Sequence, residues 1–503
     1  MSNSLKEYYK ALCYCGIYMS PHRYGYSGKL AGAVYAMGEI RDAVPVIHGS
    51  AGCGFHYRYV CRRDYLPAYN VQCTNLEEKD IIFGGSDKLR ATILETARRS
   101  APAMIAVIPA VSVDMIHDEM ENVLDSLRNK VNCRLISVKS EKFSHVDKRD
   151  RKNLMEQRAK NWNNYDFKDD FDFKGCGFVE VMKTMVEQVM ERQDVEKNSV
   201  NICGLAWGTA GSTIAGGMAK ELKELGVRVN AYLPNCTVKE IVEAPRAELN
   251  IITRRKKWAE RMEDMFGTAY FHMNSFDFYR GPEGIERLYL KISERLGIQR
   301  GASKLLSEKK YRTLELLKPV KEYLKRFRFA LYTSSYNDVP YSIEMYEEDF
   351  GIPLMYVCVE MRSERLSLDK ISEENAAMLV ENMRESLAKT GSKAQLLVNA
   401  SSDILEEAFA GVDYVLGGGE LEFKPKGIRV VQDIGNVLPV DFEGFGNAVT
   451  NLAQRIEKAP VHSSLIIDKF QYQPGYYPML DNANMKASQN MWEKMWVQRG
   501  CES

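Results

Sequence analysis

Ser199-Val200-Asn201-Ile202-Cys203-Gly204-Leu205 runs into Gly208-Thr209-Ala210-Gly211-Ser212, then a helix-length stretch to Leu225, then Gly226 and Val227-Arg228-Val229-Asn230-Ala231-Tyr232-Leu233. This reads as an apolar strand, a Gly-rich loop, an amphipathic helix with a glycine cap, and a second strand. A helical crossover of this length joins parallel strands. The same grammar recurs on either side. Upstream, Ala103 to Ile108 is a strand, Asp114 to Asn129 a helix, and Cys133 to Val138 a strand. Downstream, Arg328 to Tyr332 is a strand before Ser334-Ser335, a helix runs from Pro340 to Phe350 and stops at Gly351, and Leu354 to Val359 is a strand. Ala394 to Val398, Tyr414 to Leu416 and Gly427 to Val431 are further strands. Strands alternating with helices predict an α/β fold: three Rossmann-like, doubly wound domains with parallel sheets around a central cleft.

At 503 residues the chain exceeds what one core supports. The expected divisions are 1–190, 191–325 and 326–460, with an aromatic-rich extension over 461–503 that holds Phe470, Tyr472, Tyr476, Tyr477, Trp492 and Trp496. Residues 141–175, rich in Lys, Asp and Asn, read as a solvated insertion in the first domain. Residues 300–325 read as a charged helix bridging the second and third.

Composition is that of an ordinary globular protein, 45% hydrophobic and 27% charged. Equal numbers of basic and acidic residues, 68 each, leave no overall field to draw nucleic acid or an anionic membrane. No apolar run approaches the ~20 residues of a membrane span. The first residues lack the pattern of a signal peptide, so the expected location is the cytoplasm. There the eleven cysteines, scattered and without a CxxC pair, are expected as thiols.

The strongest local signal for chemistry is His48-Gly49-Ser50-Ala51-Gly52-Cys53, after the buried strand Val44-Pro45-Val46-Ile47. The glycines permit a sharp turn or a positive φ. Cys53 is then presented from a tight loop, with His48 nearby and Arg58, Arg62 and Arg63 following. A thiolate so placed can ligate a metal or an iron–sulfur cluster, and a buried structural thiol fits the local pattern equally. Other polar features are weaker. The turn Gly204 to Gly211 opens a helix whose amides can face an anion, or simply packs a strand on a helix; it is neither a dinucleotide fingerprint nor a P-loop. Arg254-Arg255-Lys256-Lys257 begins a helix as a solvated face or a site for an acidic partner. Leu416-Gly417-Gly418-Gly419-Glu420 ends a strand where open α/β sheets bind ligands, and His117 and His272 are lone histidines.

Ala31 to Tyr65, which contains that turn, resembles the first cluster-binding segment of the nitrogenase component 1 family. This family includes catalytic nitrogenase subunits, cofactor-assembly scaffold subunits and dark-operative tetrapyrrole reductases. Glu78 to Gly85, Met115 to Met120, Leu225 to Ile251 and Asp441 to Phe445 are similar to further family motifs, in order, across roughly residues 20 to 460. The resemblance implies a cluster between two related subunits, each supplying up to three cysteines. The middle one matches Cys53. The first falls 26 residues upstream, at Ser27, and the third at Val111. A [4Fe–4S] cluster needs about four ligands. This chain therefore resembles the subunit that gives one ligand while a homologous partner gives three. Ser27 can add its oxygen. Cys13 and Cys15, and also Cys61 and Cys73, are local thiols that can compensate.

The family's cofactor-anchoring cysteine and histidine align near Ile251 and near Val431 to Asp433, where neither residue type stands. The resemblance thus implies not a dinitrogen-reducing subunit but half of a nitrogenase-like oxidoreductase, an α2β2 heterotetramer. It would receive low-potential electrons from a separate ATP-dependent iron–sulfur reductase protein and pass them to a small-molecule substrate. A scaffold for assembling a complex Fe–S cofactor, and a cluster-free regulatory subunit, are the alternatives it leaves open.

Overall fold

A computed structural model describes residues 28–55, 70–110, 113, 120–138, 173–204, 208–253, 256–273, 281–333, 339–360, 373–417, 428–431 and 440–458. These fall into two compact units, one holding residues 28–316 with 440–447, the other 317–431 with 448–458. Three sheets are present, and every strand pairing in them is parallel.

The larger unit opens with α1 (Gly28–Gly38), β1 (Ala43–His48) and β2 (Gln72–Cys73). It continues through α2 (Glu78–Phe83), α3 (Ser86–Ser100), β3 (Met104–Pro109), α4 (Met120–Leu127), β4 (Arg134–Ser137) and α5 (Phe173–Gln188). The strands lie in the order β2-β1-β3-β4. Their side chains are apolar on both faces, as a sheet covered by helices on both sides requires. Met104, Ala106 and Ile108 of β3 face one core, with α1 and α5. Ile105 and Val107 face the other, with Leu89 and Ile93 of α3 and Val123, Leu124 and Leu127 of α4. Of the helix expected over Asp114–Asn129, Met120–Leu127 is described.

The second sheet of this unit follows with β5 (Glu196–Cys203), α6 (Gly208–Glu224), β6 (Arg228–Leu233), α7 (Val238–Val242), β7 (Ala247–Thr253), α8 (Lys257–Phe266) and β8 (Ala269–Met273), in the order β6-β5-β7-β8. Gly226 ends α6 with φ +76°, as its place in the sequence demands. One core joins the two sheets: Val34 and Met37 of α1, Met182 and Met185 of α5, Leu233 and Ile252 of the second sheet, and Trp258 of α8 belong to it. The second sheet also carries a polar seam. Asn230 Nδ2 donates to Asn201 Oδ1 at 3.0 Å, and Asn201 Nδ2 donates to Asn250 Oδ1 at 2.8 Å and to the Ala244 carbonyl at 2.9 Å. Asn201 and Asn250 are fully buried, so each amide depends on the next. Asn201→Ala strands its partners without water and is expected to destabilise the chain by about 2 kcal/mol, read by urea unfolding.

Two helices follow, α9 (Gly281–Arg295) and α10 (Gln299–Leu324), and α10 covers the charged stretch read as a helix over 300–325. Next come β9 (Phe329–Thr333), α11 (Val339–Glu344) with a π-helical end over Met345–Asp349, and β10 (Leu354–Val359). The rest is α12 (Glu373–Thr390), β11 (Gln395–Val398), α13 (Ser402–Ala410), β12 (Tyr414–Gly417) and β13 (Val430–Val431), while α14 (Phe442–Lys458) begins in the larger unit and continues into the smaller from residue 448. The order β11-β10-β9-β12-β13 is the Rossmann arrangement of a first strand flanked by its successors on both sides. Ala330, Cys358 and Val415 pack on Leu405, Ala408 and Phe409 of α13.

Candidate functional site

In the first sheet the chain moves from β1 to β2 on one side and to β3 on the other. The strand order therefore reverses between β1 and β3, and open α/β sheets place ligands outside the carboxyl ends at such a point. The turn after β1 emerges there. The His48 carbonyl accepts the Ala110 N–H at 2.8 Å, which holds the ends of β1 and β3 together. A Cβ on Gly49 would lie 2.5 Å from Ala110 Cβ, so only glycine fits. Of the two expected reasons for glycine here, positive φ does not apply: neither Gly49 nor Gly52 has it, and the demand at 49 is close approach.

Two residues at the end of β2 clamp the turn. The Thr74 hydroxyl accepts the Gly49 N–H at 2.9 Å and lies 3.2 Å from the Gly49 carbonyl. It also meets Nδ1 of the fully buried His48 at 3.0 Å. The Cys73 thiol donates to the Gly49 and Ser50 carbonyls at 3.5 and 3.3 Å. Residues 51–55 then form a helical turn. The Cys53 N–H donates to the Ser50 carbonyl at 3.1 Å, and its half-buried sulfur lies 3.7 Å from Ser50 Oγ. Phe55, at the end of this turn, is exposed.

The segment leaving β2 contains the Glu78–Gly85 motif. Asp80 accepts the Glu77 N–H at 2.7 Å and pairs with Lys88 at 2.7 Å, anchoring α2. The helix presents Ile82 and Phe83 to solvent, 72% and 86% exposed. Large apolar side chains left this open mark a contact surface when they lie together.

Cys53, Cys73, Cys133, Cys203, Cys236 and Cys358 are the described free thiols. Burial pushes the Cys203 thiol well above its usual range and Cys358 up to about 12, which keeps both protonated and inert. Among the described residues no group of three or more His, Cys, Asp or Glu side chains is placed to hold a metal ion. Cys13, Cys15, Ser27, Arg58, Cys61, Arg62, Arg63, Val111 and His117 lie outside the described residues.

Of the remaining predicted features, residues 205–207, 254–255 and 418–420 lie outside the described residues. Gly204 (φ +81°) donates its N–H to the Leu233 carbonyl at 3.0 Å. Lys256 caps α8 and pairs with Glu260. Gly417 ends β12 with φ +119°, where a Cβ would meet the Tyr332 carbonyl oxygen at 2.0 Å. Ile251 and Val431 are buried in β7 and β13, and His272 is half-buried on β8. Thr74 and Ala110 had no signal in the sequence.

The family model for nitrogenase component 1 type oxidoreductases matches residues 29–417. The chain belongs to this family. Among nitrogenase component 1 relatives, it is 27% identical over 260 residues to the nitrogenase iron-molybdenum cofactor biosynthesis protein NifE of Methanococcus maripaludis, covering 49% of this chain and 47% of that protein. Identity is 23% over 450 residues with NifE of Rippkaea orientalis, covering 86% and 84%. It is 23% over 334 residues with the nitrogenase molybdenum-iron protein alpha chain of Methanosarcina barkeri, covering 62% and 55%. The chain spans about half the length of several curated relatives it matches. The solved structure of nitrogenase Cp1 at pH 6.5 has the same fold, with TM-score 0.54 at 20% identity over 86% of this chain and 88% of that one. No helix among the described residues is long and apolar enough to cross a membrane.

Proposed function

We propose that this chain is one subunit of a nitrogenase-like reductase complex in which Cys53 supplies one ligand to an iron–sulfur cluster shared with a homologous partner. The observation that carries this reading is the half-buried Cys53 thiol, held on a clamped turn at the strand-order reversal of the first sheet. One thiol cannot hold a [4Fe–4S] cluster, so the partner provides the remaining ligands, with Ser27 as the further candidate here. When bound, such a cluster supplies low-potential one-electron transfer. This chain's residues fix the ligand's position, and Phe55, Ile82 and Phe83 offer apolar surface for protein partners. The partners in this reading are the homologous subunit of an α2β2 assembly and an ATP-dependent iron–sulfur reductase. We assign the three sheets to three domains divided near residues 190 and 325.

In the purified complex, Cys53→Ala is expected to abolish the shared cluster's visible absorption and its iron. An unchanged spectrum contradicts the assignment. A second reading, a scaffold on which a complex Fe–S cofactor is assembled, draws on the relatives named as cofactor biosynthesis proteins. Co-purification of a transferable Fe–S precursor without catalytic turnover favours it over the reductase.

A further inference from the structure

Cys73 was one of the thiols open to replacing a missing cluster ligand, and the fold brings it to the same turn as Cys53. Its surroundings argue for a different role. The Cys73 side chain is buried at 8% exposure, and its sulfur faces two carbonyl oxygens, Gly49 O at 3.5 Å and Ser50 O at 3.3 Å. The single S–H proton can be shared between the two, a donor's role rather than a ligand's. One of the two carbonyls belongs to the residue that Cys53 contacts: Ser50 O accepts the Cys53 N–H, and Ser50 Oγ lies against the Cys53 sulfur. Gly49 is held independently by Thr74.

We propose that Cys73 is a positioning residue: its protonated thiol holds the Ser50 carbonyl in the orientation that presents Cys53 to the shared cluster, and it is not itself a ligand. This rests on the proposed role of Cys53. The clamp follows from Cys73's register. β2 pairs with β1 at Ile47↔Cys73, which puts the Cys73 side chain beside the chain leaving β1.

The test uses three substitutions and two preparations. In the isolated full-length chain, amide hydrogen exchange over residues 48–55 reads the clamp without any cluster. Cys73→Ala and the near-isosteric Cys73→Val are expected to speed exchange about tenfold, as loss of one hydrogen bond allows. Cys73→Ser retains an O–H donor and is expected to behave like the wild type. In the anaerobic complex with the homologous subunit, Cys73→Ala and Cys73→Val are expected to keep the wild-type iron content but broaden the cluster's electron paramagnetic resonance signal and shift its midpoint potential. Cys73→Ser is expected to restore both.

Iron loss in Cys73→Ala equal to that in Cys53→Ala would make Cys73 a ligand and overturn the proposal. Unchanged exchange in Cys73→Val would overturn the clamp itself. An iron-free wild-type complex would overturn the role of Cys53 instead, and the exchange measurement would still decide whether Cys73 clamps the turn.

Discussion

Gly49→Ala destabilises the larger unit by about 3 kcal/mol in urea unfolding and takes the Cys53 turn with it. The added methyl falls 2.5 Å from Ala110 Cβ, well inside van der Waals contact. Neither side yields easily. Ala110 is tied to β1 by its N–H on the His48 carbonyl, and Gly49 is tied to β2 through Thr74. The overlap can be relieved only by parting the ends of β1 and β3, where the turn begins. A second substitution separates this clash from any other effect of alanine. Ala110→Gly removes the opposing Cβ and leaves the Ala110 Cα 3.8 Å away, an ordinary contact. The double variant is therefore expected to recover most of the loss. Failure to recover would mean that Gly49 is needed for another reason.

Glu39→Gln is expected to stabilise the chain at pH 8 by roughly 3 kcal/mol and to have little effect near pH 4. Glu39 follows α1 and is 8% exposed, with Oε2 buried and without a hydrogen-bond partner. Burial pushes its carboxyl up to about 8, against a smaller opposing effect from the Asn235 side chain. The surrounding bonds explain why burial persists. Arg41 N–H donates to the Cys236 carbonyl at 3.0 Å, Arg41 Nη2 pairs with Glu240 at 2.6 Å, and Asp42 accepts the Val238 N–H at 2.8 Å. These tie residues 41–42 to the loop after β6. In the unfolded chain Glu39 titrates near its ordinary 4.5, whereas the folded chain holds the proton to about pH 8. Stability from this group is therefore fullest below pH 4.5, falls as pH rises to 8, and is flat above. Glutamine carries no such proton, so its unfolding free energy should lack this slope. Parallel pH profiles for the two proteins would show that Glu39 is not buried as described.

Most strands were legible because parallel sheets covered on both faces write themselves as apolar runs. Ala103–Ile108 and Leu354–Val359 are of this kind, and both appear within a residue of their expected limits. Strands β7 and β8 were missed for a physical reason. Asn250 and His272 interrupt their patterns, and Asn250 is satisfied by Asn201 on the neighbouring strand and by the Met262 sulfur. At two residues, β2 carries no periodicity at all.

The candidate site divides in the same way. Cys53 stood out because its glycine turn is local in sequence. Thr74 and Ala110 reach the turn only through parallel pairing of β1 with β2 and β3, which local pattern does not encode. Nothing in the local sequence marks Glu39, and the Asn235 side chain that reaches it lies some 200 residues away.

As proposed, Cys53 is one ligand of a cluster completed by another chain. The most direct measurement is the iron content of this subunit purified anaerobically with its homologous partner, for the wild type and for Cys53→Ala. About four irons per heterodimer are expected in the wild type, and their loss in the variant. An iron-free wild-type heterodimer, or a variant that keeps its iron, would contradict it.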